Sequence, residues 1–306
     1  MQKTLTAVLV FTAAFWFSVP AFAAGQGEQG GGSSGTDINT LRGDMAGAFT
    51  QMEQALSPSP AGMTLQDEYF LGRAVAAEIL KAYPPYTGNP ALTAYLEKIC
   101  LALAVNSPRP LLFSGYHVEI LDTSEICAFA SPGGHIFVSR GLIAAAPSED
   151  ALAAVIAHEL AHIQLRHVAA ILANERTVQE LTAAAERAVS ITARNLTEQE
   201  RITLFQASLT ASINTLFRDG YSREQEFQAD RTALQILASA GYDPAALIEM
   251  LQIINQRQGT GNLSRTHPAP GVRIANLGNI PANARRGRET LSARQPRFNS
   301  ALRDSP

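Results

Sequence analysis

Residues 148–162 read SEDALAAVIAHELAH and contain the pattern H-E-x-x-H. Ser148 is a residue type that caps helices, and apolar residues recur behind it at helical spacing. Residues four apart lie about 40° apart around a helix axis, so His158 and His162 face the same way. Two imidazoles on one helical face suit the binding of a Zn²⁺ ion. The segment therefore predicts a buried helix that carries part of a metal site.

Glu159 is the acidic residue inside this motif. Next to the first histidine, a carboxylate can take a proton from the attacking water and later pass it to the leaving amine. The rest of the helical stripe that holds His158 and His162 is apolar, and buried polar groups are costly without partners. The motif also occurs by chance, so two hydrogen-bonded core histidines are the alternative until a third ligand is found.

The third ligand does not come from the same helix. The longer zinc motif H-E-x-x-H-x-x-G-x-x-H is excluded, because Leu165 and Val168 stand where it needs glycine and histidine. His167 follows His158 by nine residues, or about 180° around a continuous helix. We therefore expect His167 to point away from the metal as an ordinary surface histidine.

Residues 221–230, YSREQEFQAD, offer carboxylates on a second helix. Glu226 and Asp230 share a stripe that is otherwise apolar, whereas Glu224 lies on a polar stripe, so Glu226 is expected to face the core. Asp230, one turn further, could accept the second ring N–H of a ligand histidine. A buried ion pair with an arginine is the alternative for these acids. Two inward acids and two inward histidines do not bury stably without a cation, which a shared Zn²⁺ would supply.

The remaining pattern predicts an α+β fold with one small antiparallel sheet among many helices. Residues 131–134 (SPGG) have the composition of a hairpin turn between two of the strands. The predicted helices cover about 65–82, 90–105, 149–174, 178–193, 198–217, 223–240 and 244–256, and the predicted strands cover 116–121, 126–130 and 135–139.

The two ends of the chain differ from its middle. Residues 1–23 have the layout of a secretory signal peptide, with a retained membrane anchor as the alternative. Residues 24–63 are predicted to be a flexible Gly/Ser-rich linker and N-terminal segment, and 64–275 the folded domain. Residues 276–306 hold six arginines and two acids. We expect this basic tail to be solvated, and a site for an anionic partner is the alternative.

Composition narrows the class of protein further. The 306 residues are 46% hydrophobic and 17% charged, which rules out a mainly disordered chain. The formal net charge of −3 gives no indication of nucleic-acid binding. Cys100 and Cys127 are too few to build a cysteine metal site, and in an oxidising compartment they could pair. The sequence leaves that pairing open.

The chain resembles the HtpX- and BepA-related gluzincin endopeptidases, relatives of the CAAX prenyl proteases, over roughly residues 64–275. Four motifs in order carry the resemblance: AFASPGGHIFVSRGLI at 128–143, HELAH at 158–162, YSREQEFQAD at 221–230, and Thr266-His267-Pro268 followed by Arg273-Ile274. Departures are the lack of membrane spans after residue 23, the short stretch after the domain where some exported relatives have a tetratricopeptide array, and Cys127 in place of the usual polar residue.

The resemblance implies a mostly helical, zincin-like metalloprotease domain with an edge-strand hairpin. It implies one Zn²⁺ per chain bound by His158, His162 and Glu226, with Glu159 as the catalytic base. It also implies that His267 lies near the metal, where it either assists catalysis or closes the site and keeps the enzyme latent. An ordinary turn histidine is the alternative.

Arg273 is expected to steady the same region, with a purely structural ion pair as the alternative.

The leading interpretation is an exported, periplasmic or extracellular zinc endopeptidase that cleaves unfolded or misassembled exported proteins. Extended substrates would add as a strand to the hairpin edge between Ile126 and Ala130, and residues 176–218 would cover the cleft or simply pack in the core. A latent, chaperone-like zinc protein and a zinc hydrolase of a substrate such as a peptidoglycan crosslink are the rival functions.

Overall fold

The computed structural model describes residues 64–172, 220–257, 267–278 and 288–303. The predicted signal peptide, the linker, the helices at 178–193 and 198–217 and the lid at 176–218 lie outside these residues. The described helices are α1 (Leu65–Ala82), α2 (Pro90–Val105), α3 (Arg140–Ala145), α4 (Glu149–Gln164), α5 (His167–Leu172), α6 (Arg223–Ser239), α7 (Ala245–Arg257), α8 (Pro270–Leu277) and α9 (Arg288–Leu302). The strands are β1 (His117–Leu121), β2 (Ala128–Ser131) and β3 (His135–Ser139).

Helix α4 lies at the centre of the fold, and all 16 of its residues are buried. It begins where the sequence predicts, because Ser148 Oγ accepts a hydrogen bond from the Ala151 N–H. Its many alanines let neighbouring elements approach closely, and it packs against α2, α6, α7 and β2. A helix buried on every side has no solvent face, so each polar side chain on it needs a partner inside the protein.

The three strands form one mixed sheet in the order β1-β3-β2. Strands β2 and β3 are antiparallel and are joined by a 3-10 turn at Pro132–Gly134, which confirms the predicted hairpin. Strand β1 pairs with β3 in parallel, so the expectation of a wholly antiparallel sheet is wrong for this pair. Strands β1 and β2 lie on opposite sides of β3 and run in opposite directions. Only β2 is therefore antiparallel to β3. Alternation of polar and apolar residues along a strand predicts which side chains face the core, but it does not predict the direction of the neighbouring strand.

The hairpin turn is held against α1 by two glycines. Gly133 adopts a φ of 76°, a left-handed conformation that favours glycine. At Gly72 on α1, an added Cβ would lie 1.7 Å from the carbonyl oxygen of Pro132. Ser131 Oγ also donates to the Gly72 carbonyl oxygen at 2.6 Å. These contacts fix the end of β2, the strand at the sheet edge beside α4.

Helix α9 corrects the expectation of a solvated tail. Residues 288–302 are helical, and Phe298 is buried in the core. Arg294 Nη1 lies 2.7 Å from Asp150 Oδ1, and Arg297 donates to the Glu149 carboxylate. The sequence did not predict this helix, because it contains a proline and combines ion pairs with only a few apolar contacts, so it lacks a clear apolar stripe.

Cys100 and Cys127 are both buried as free thiols. Burial raises the pKa of each thiol to about 12, so both are uncharged and unreactive at neutral pH. The pairing that the sequence left open is not formed. None of the described helices is both long enough and apolar enough to cross a membrane.

Candidate metal centre

Two helices that cross at the core bring the first part of the centre together. Helix α4 supplies His158 and His162, which face the same way as the four-residue spacing requires. Helix α6 supplies Glu226 from its first turn, where the positive end of the helix dipole favours a carboxylate. Ser222 and Gln225 form a capping box that fixes the start of this helix.

The distances define a compact group of ligand atoms. His158 Nε2 lies 3.5 Å from Glu226 Oε2, and His162 Nε2 lies 3.4 Å from Glu226 Oε1. The two Nε2 atoms are 3.1 Å apart. His267 joins them from the segment before α8, with its Nδ1 at 2.7 Å from Glu226 Oε1. One donor atom from each of these four buried residues lies within 4.8 Å of the others.

Asp230 and Arg273 form a layer around this group. Asp230 Oδ1 accepts from His158 Nδ1 at 3.0 Å, which is the contact expected of a carboxylate that orients a metal-binding histidine. Arg273 on α8 donates to Asp230 through Nε at 2.9 Å and Nη2 at 2.5 Å. Asp230 thus makes both contacts that the sequence offered as alternatives. Arg273 Nη1 is also 3.5 Å from Glu226 Oε2.

Glu159, the acid inside the H-E-x-x-H motif, lies next to the group and is 2% exposed. His267 Nε2 is 4.0 Å from Glu159 Oε1. Within the described part of the chain, Glu159 Oε2 has no hydrogen-bond partner. Burial raises the pKa of this carboxyl more than the nearby histidines lower it. A buried carboxylate with a free oxygen and a raised pKa is suited to accept and return a proton.

Charge and donor chemistry indicate that a divalent cation fits this cluster. With the histidines neutral, as metal binding requires, Glu159, Glu226 and Asp230 bring three negative charges and Arg273 brings one positive charge, so two negative charges are uncompensated. Glu226 Oε2 has no hydrogen-bond partner among the described residues, although it is fully buried. Two imidazole nitrogens and a carboxylate oxygen are the ligand set of many catalytic zinc sites. The residues present therefore suit Zn²⁺.

The family model of peptidase family M48 matches residues 90–280, which is more than half of the chain and includes every residue of this centre. The chain belongs to peptidase family M48. Zinc is the metal of family M48, and the cluster of His158, His162, Glu226 and His267 could hold one ion.

Relatives of the chain include two kinds of named protease. The beta-barrel assembly-enhancing protease of Escherichia coli K12 is 27% identical over 252 residues, covering 78% of this chain and 49% of the relative. The mitochondrial metalloendopeptidase OMA1 of Schizosaccharomyces pombe is 29% identical over 167 residues, covering 53% of this chain and 46% of the relative. The chain thus spans about half the length of these relatives.

The structure brings together every site residue that the sequence predicted. His158, Glu159, His162, Glu226, Asp230, His267 and Arg273 are all at most 5% exposed. Glu224 faces solvent while Glu226 is fully buried, so the stripe argument that separated the two acids is confirmed.

His167 contradicts its prediction as a surface residue. It is 4% exposed, and its Nδ1 lies 3.0 Å from His162 Nδ1. The rotation of 100° per residue does not continue past α4, because the helix ends at Gln164 and Arg166 takes a φ of 57° before α5 begins. This break turns His167 back towards the centre. No local sequence signal predicted it, since a non-glycine residue rarely adopts a positive φ.

Tyr221 is a second residue that the sequence reasoning missed. Its ring stacks on His162 with a centroid distance of 3.8 Å and an interplanar angle of 28°. It lies in the same motif as Glu226, immediately before the capping serine of α6. The available sequence signal was an aromatic residue next to a helix cap. That signal does not give the orientation of the Tyr221 ring, which depends on how α6 crosses α4.

Proposed function

We propose that this chain is a zinc endopeptidase that cleaves unfolded or misassembled polypeptides, with His158, His162 and Glu226 as the zinc ligands. The observation that carries the proposal is the convergence of these three side chains, 3.1–3.5 Å apart at their donor atoms, beside a buried Glu159. Asp230 would orient His158, and Arg273 would hold Asp230 in place.

Glu159 carries the proton chemistry in this proposal. Bound Zn²⁺ would polarise the scissile carbonyl and make the attacking water more acidic. Glu159 Oε2, which has no partner among the described residues, is the atom that takes the proton. The raised pKa of this carboxyl makes it a better base than an exposed glutamate and lets it return the proton to the leaving amine.

The substrate would bind in an extended conformation. In the order β1-β3-β2, strand β2 is an edge, and an added strand there would be held by backbone hydrogen bonds with little side-chain preference. A cavity of about 30 Å³ lies next to His158 and Glu159, with a wall formed by Leu247, Met250 and Leu251 of α7. That volume holds about one water molecule, so an apolar substrate side chain would enter only as α7 moves outwards.

A latent zinc protein is the second candidate, because a specific contact favours it. His267 Nδ1 is only 2.7 Å from Glu226 Oε1, and this histidine belongs to the same group of four possible ligands. As a fourth ligand it would occupy the position that a catalytic zinc site keeps open for water or substrate. In that case the chain would hold zinc without hydrolysing peptides until His267 withdraws.

The biological setting is also a proposal. The name of the Escherichia coli relative refers to enhancing beta-barrel assembly, which would fit a role in quality control of envelope proteins. The signal-peptide pattern of residues 1–23 would fit export to the periplasm or beyond. The role in quality control and the export are both proposals about the whole protein.

The test uses the purified protein on casein, on a stably folded protein and on crosslinked peptidoglycan, each with and without a zinc chelator. We expect chelator-sensitive cleavage of casein and little cleavage of the folded protein. Cleavage of peptidoglycan but not of casein would contradict the proposal. His267→Ala separates the two candidates: faster casein cleavage supports latency, and a loss of cleavage with zinc retained supports a catalytic role.

A further inference from the structure

We propose that His167 and Gln228 are positioning residues that fix the protonation tautomer of His162 through a directed chain of hydrogen bonds. The inference rests on the proposed function, because His162 is taken as a zinc ligand. The chain begins at Glu224 on the exposed face of α6, passes through Gln228 and His167, and ends at His162 Nδ1.

The direction of the chain is set at its exposed end. The Glu224 carboxylate only accepts hydrogen bonds, and its Oε1 lies 3.2 Å from Gln228 Nε2. The amide nitrogen of Gln228 therefore points to Glu224, and its oxygen is left to face His167. Gln228 Oε1 lies 3.4 Å from His167 Nε2. Because an amide oxygen only accepts, His167 must carry its proton on Nε2.

The same logic determines the state of His162. A neutral His167 with its proton on Nε2 has a lone pair on Nδ1. That atom is 3.0 Å from His162 Nδ1, so His162 donates to it and carries its own proton on Nδ1. The lone pair of His162 is then on Nε2, which is the atom that faces His158 Nε2 and Glu226. The tautomer that results is the one that can bind a metal ion.

The two histidines of the motif are thus held by different kinds of partner. His158 donates to the carboxylate of Asp230, whereas His162 donates to an uncharged imidazole. A carboxylate behind His162 would add a fourth negative charge to a buried cluster that already holds three. The neutral partner fixes the tautomer without that cost, and the stacked ring of Tyr221 covers one face of the imidazole.

Nitrogen-15 NMR of the histidine rings in the metal-free protein tests the chain directly. We expect His162 in the wild type to be protonated on Nδ1 and His167 on Nε2. In His167→Leu, which removes the acceptor, His162 should populate both tautomers. A wild-type His162 protonated on Nε2 would overturn the proposal, whatever the enzyme does. So would a His162 whose tautomer is unchanged in His167→Leu.

Zinc affinity, measured by competition with a chelator, gives the second readout. Loss of a partner that orients a metal ligand typically costs about 10- to 100-fold in affinity, and we expect a loss in that range for His167→Leu. In His167→Asn, the side-chain oxygen occupies nearly the place of Nδ1 and can still accept from His162, so most of the affinity should return. Equal affinities for the Leu and Asn variants and the wild type would contradict the proposal.

Two further variants keep the test decisive. His135→Leu is the matched control, because His135 is a partly buried histidine on β3 whose ring contacts Tyr69 and His117, and it should leave zinc affinity unchanged. If His167→Leu fails to fold, Gln228→Leu removes only the partner that fixes His167, and we expect a few-fold loss and mixed His167 tautomers. Normal zinc affinity in His162→Ala would refute the ligand set of the proposed function. The NMR measurement would still test the hydrogen-bond chain independently of that result.

Discussion

Two groups of buried acids lie along helix α4, one in its first turn and one around Glu159, and their charges are balanced differently. In the first turn, Glu149 pairs with Arg297 and Asp150 with Arg294, and both arginines come from α9. Tyr95 and Tyr242 donate further hydrogen bonds to Glu149 at 2.6 and 3.1 Å. Burial alone would raise the pKa of Glu149, but these partners hold it below its usual range. This group is neutral in total and serves the packing of α9 onto α4.

The group around Glu159, which also contains Glu226 and Asp230 from α6, is not balanced in charge. Within the described residues, Arg273 is the one buried arginine or lysine beside Glu159, Glu226 and Asp230, and both glutamates keep an oxygen without a hydrogen bond there. The acids of both groups are at most 2% exposed, so burial of the carboxylates does not separate a structural cluster from a functional one. Uncompensated charge does, because it indicates a missing ligand or a proton to be moved. An unused acceptor alone does not, since Asp150 Oδ2 also lacks a hydrogen bond among the described residues.

The largest effect on activity is expected when the base is removed from the unbalanced group. Glu159→Gln keeps the size and the hydrogen-bonding capacity of the side chain but cannot accept the proton. We expect casein cleavage to fall by at least about 10²-fold, with zinc content and thermal stability unchanged. Metal analysis and a melting curve serve as controls, and near-normal turnover would refute the role of Glu159.

The next effect compares two glutamates on the same helix. Glu226→Ala removes a proposed ligand, and the loss of zinc affinity should exceed the roughly 10- to 100-fold cost of losing an orienting partner. Glu224→Ala should still purify with one zinc per chain, because this residue faces solvent and acts only through Gln228. Metal analysis of both variants after dialysis checks this, and the reverse result would overturn the assignment.

Two helical periodicities predicted His158, His162, Glu226 and Asp230 from the sequence, whereas His267 and Arg273 were expected from the resemblance to the endopeptidase family. His158 and His162 share a face of α4, and Glu226 was distinguished from Glu224 by the apolar stripe behind it. Each argument concerns one helix and needs no knowledge of how helices cross. The hairpin was predictable for the same reason, since its turn is a local signal.

Features that depend on contacts between distant segments were not predictable. His167 reaches the centre only because α4 breaks at Arg166, whose φ of 57° is unusual for a residue with a side chain. Helix α9 is held by arginines whose partners lie some 145 residues earlier in the chain. Periodicity contains no information on such pairs, so both were assigned to solvent.

A smaller effect removes a cation from the balanced group. Arg294→Met leaves Asp150 buried with only the backbone N–H of Asp243 as a donor. Removing one partner of a buried pair costs about 3–5 kcal/mol, and we expect the lower end because Arg294 is 11% exposed. Activity per folded molecule should not change. Chemical denaturation checks the stability, with the exposed Arg303→Met as a control that should stay within about 0.5 kcal/mol of the wild type.

The smallest effect concerns pH and the centre itself. Burial and Arg273 favour the neutral ring of His158, but the hydrogen bond to Asp230 and the nearby Glu226 carboxylate raise the pKa to about 9 in the absence of metal. The folded pKa lies above the reference value of about 6.5. The stability that this proton contributes to the metal-free protein is therefore complete below about 6.5 and is lost as the pH rises through about 9.

Zinc binding has the opposite dependence on pH, since a metal ligand must first lose its proton. Between about pH 7 and 9 we expect apparent zinc affinity to rise by up to about tenfold per unit. Calorimetry at pH 7.5 in two buffers of different ionisation enthalpy measures the protons released. Asp230→Asn removes a contact that raises the pKa of His158, so it should release fewer protons than the wild type. If the wild type and Asp230→Asn release equal numbers, Asp230 does not control the charge of His158, and the excess of negative charge is not what prepares this centre for a cation.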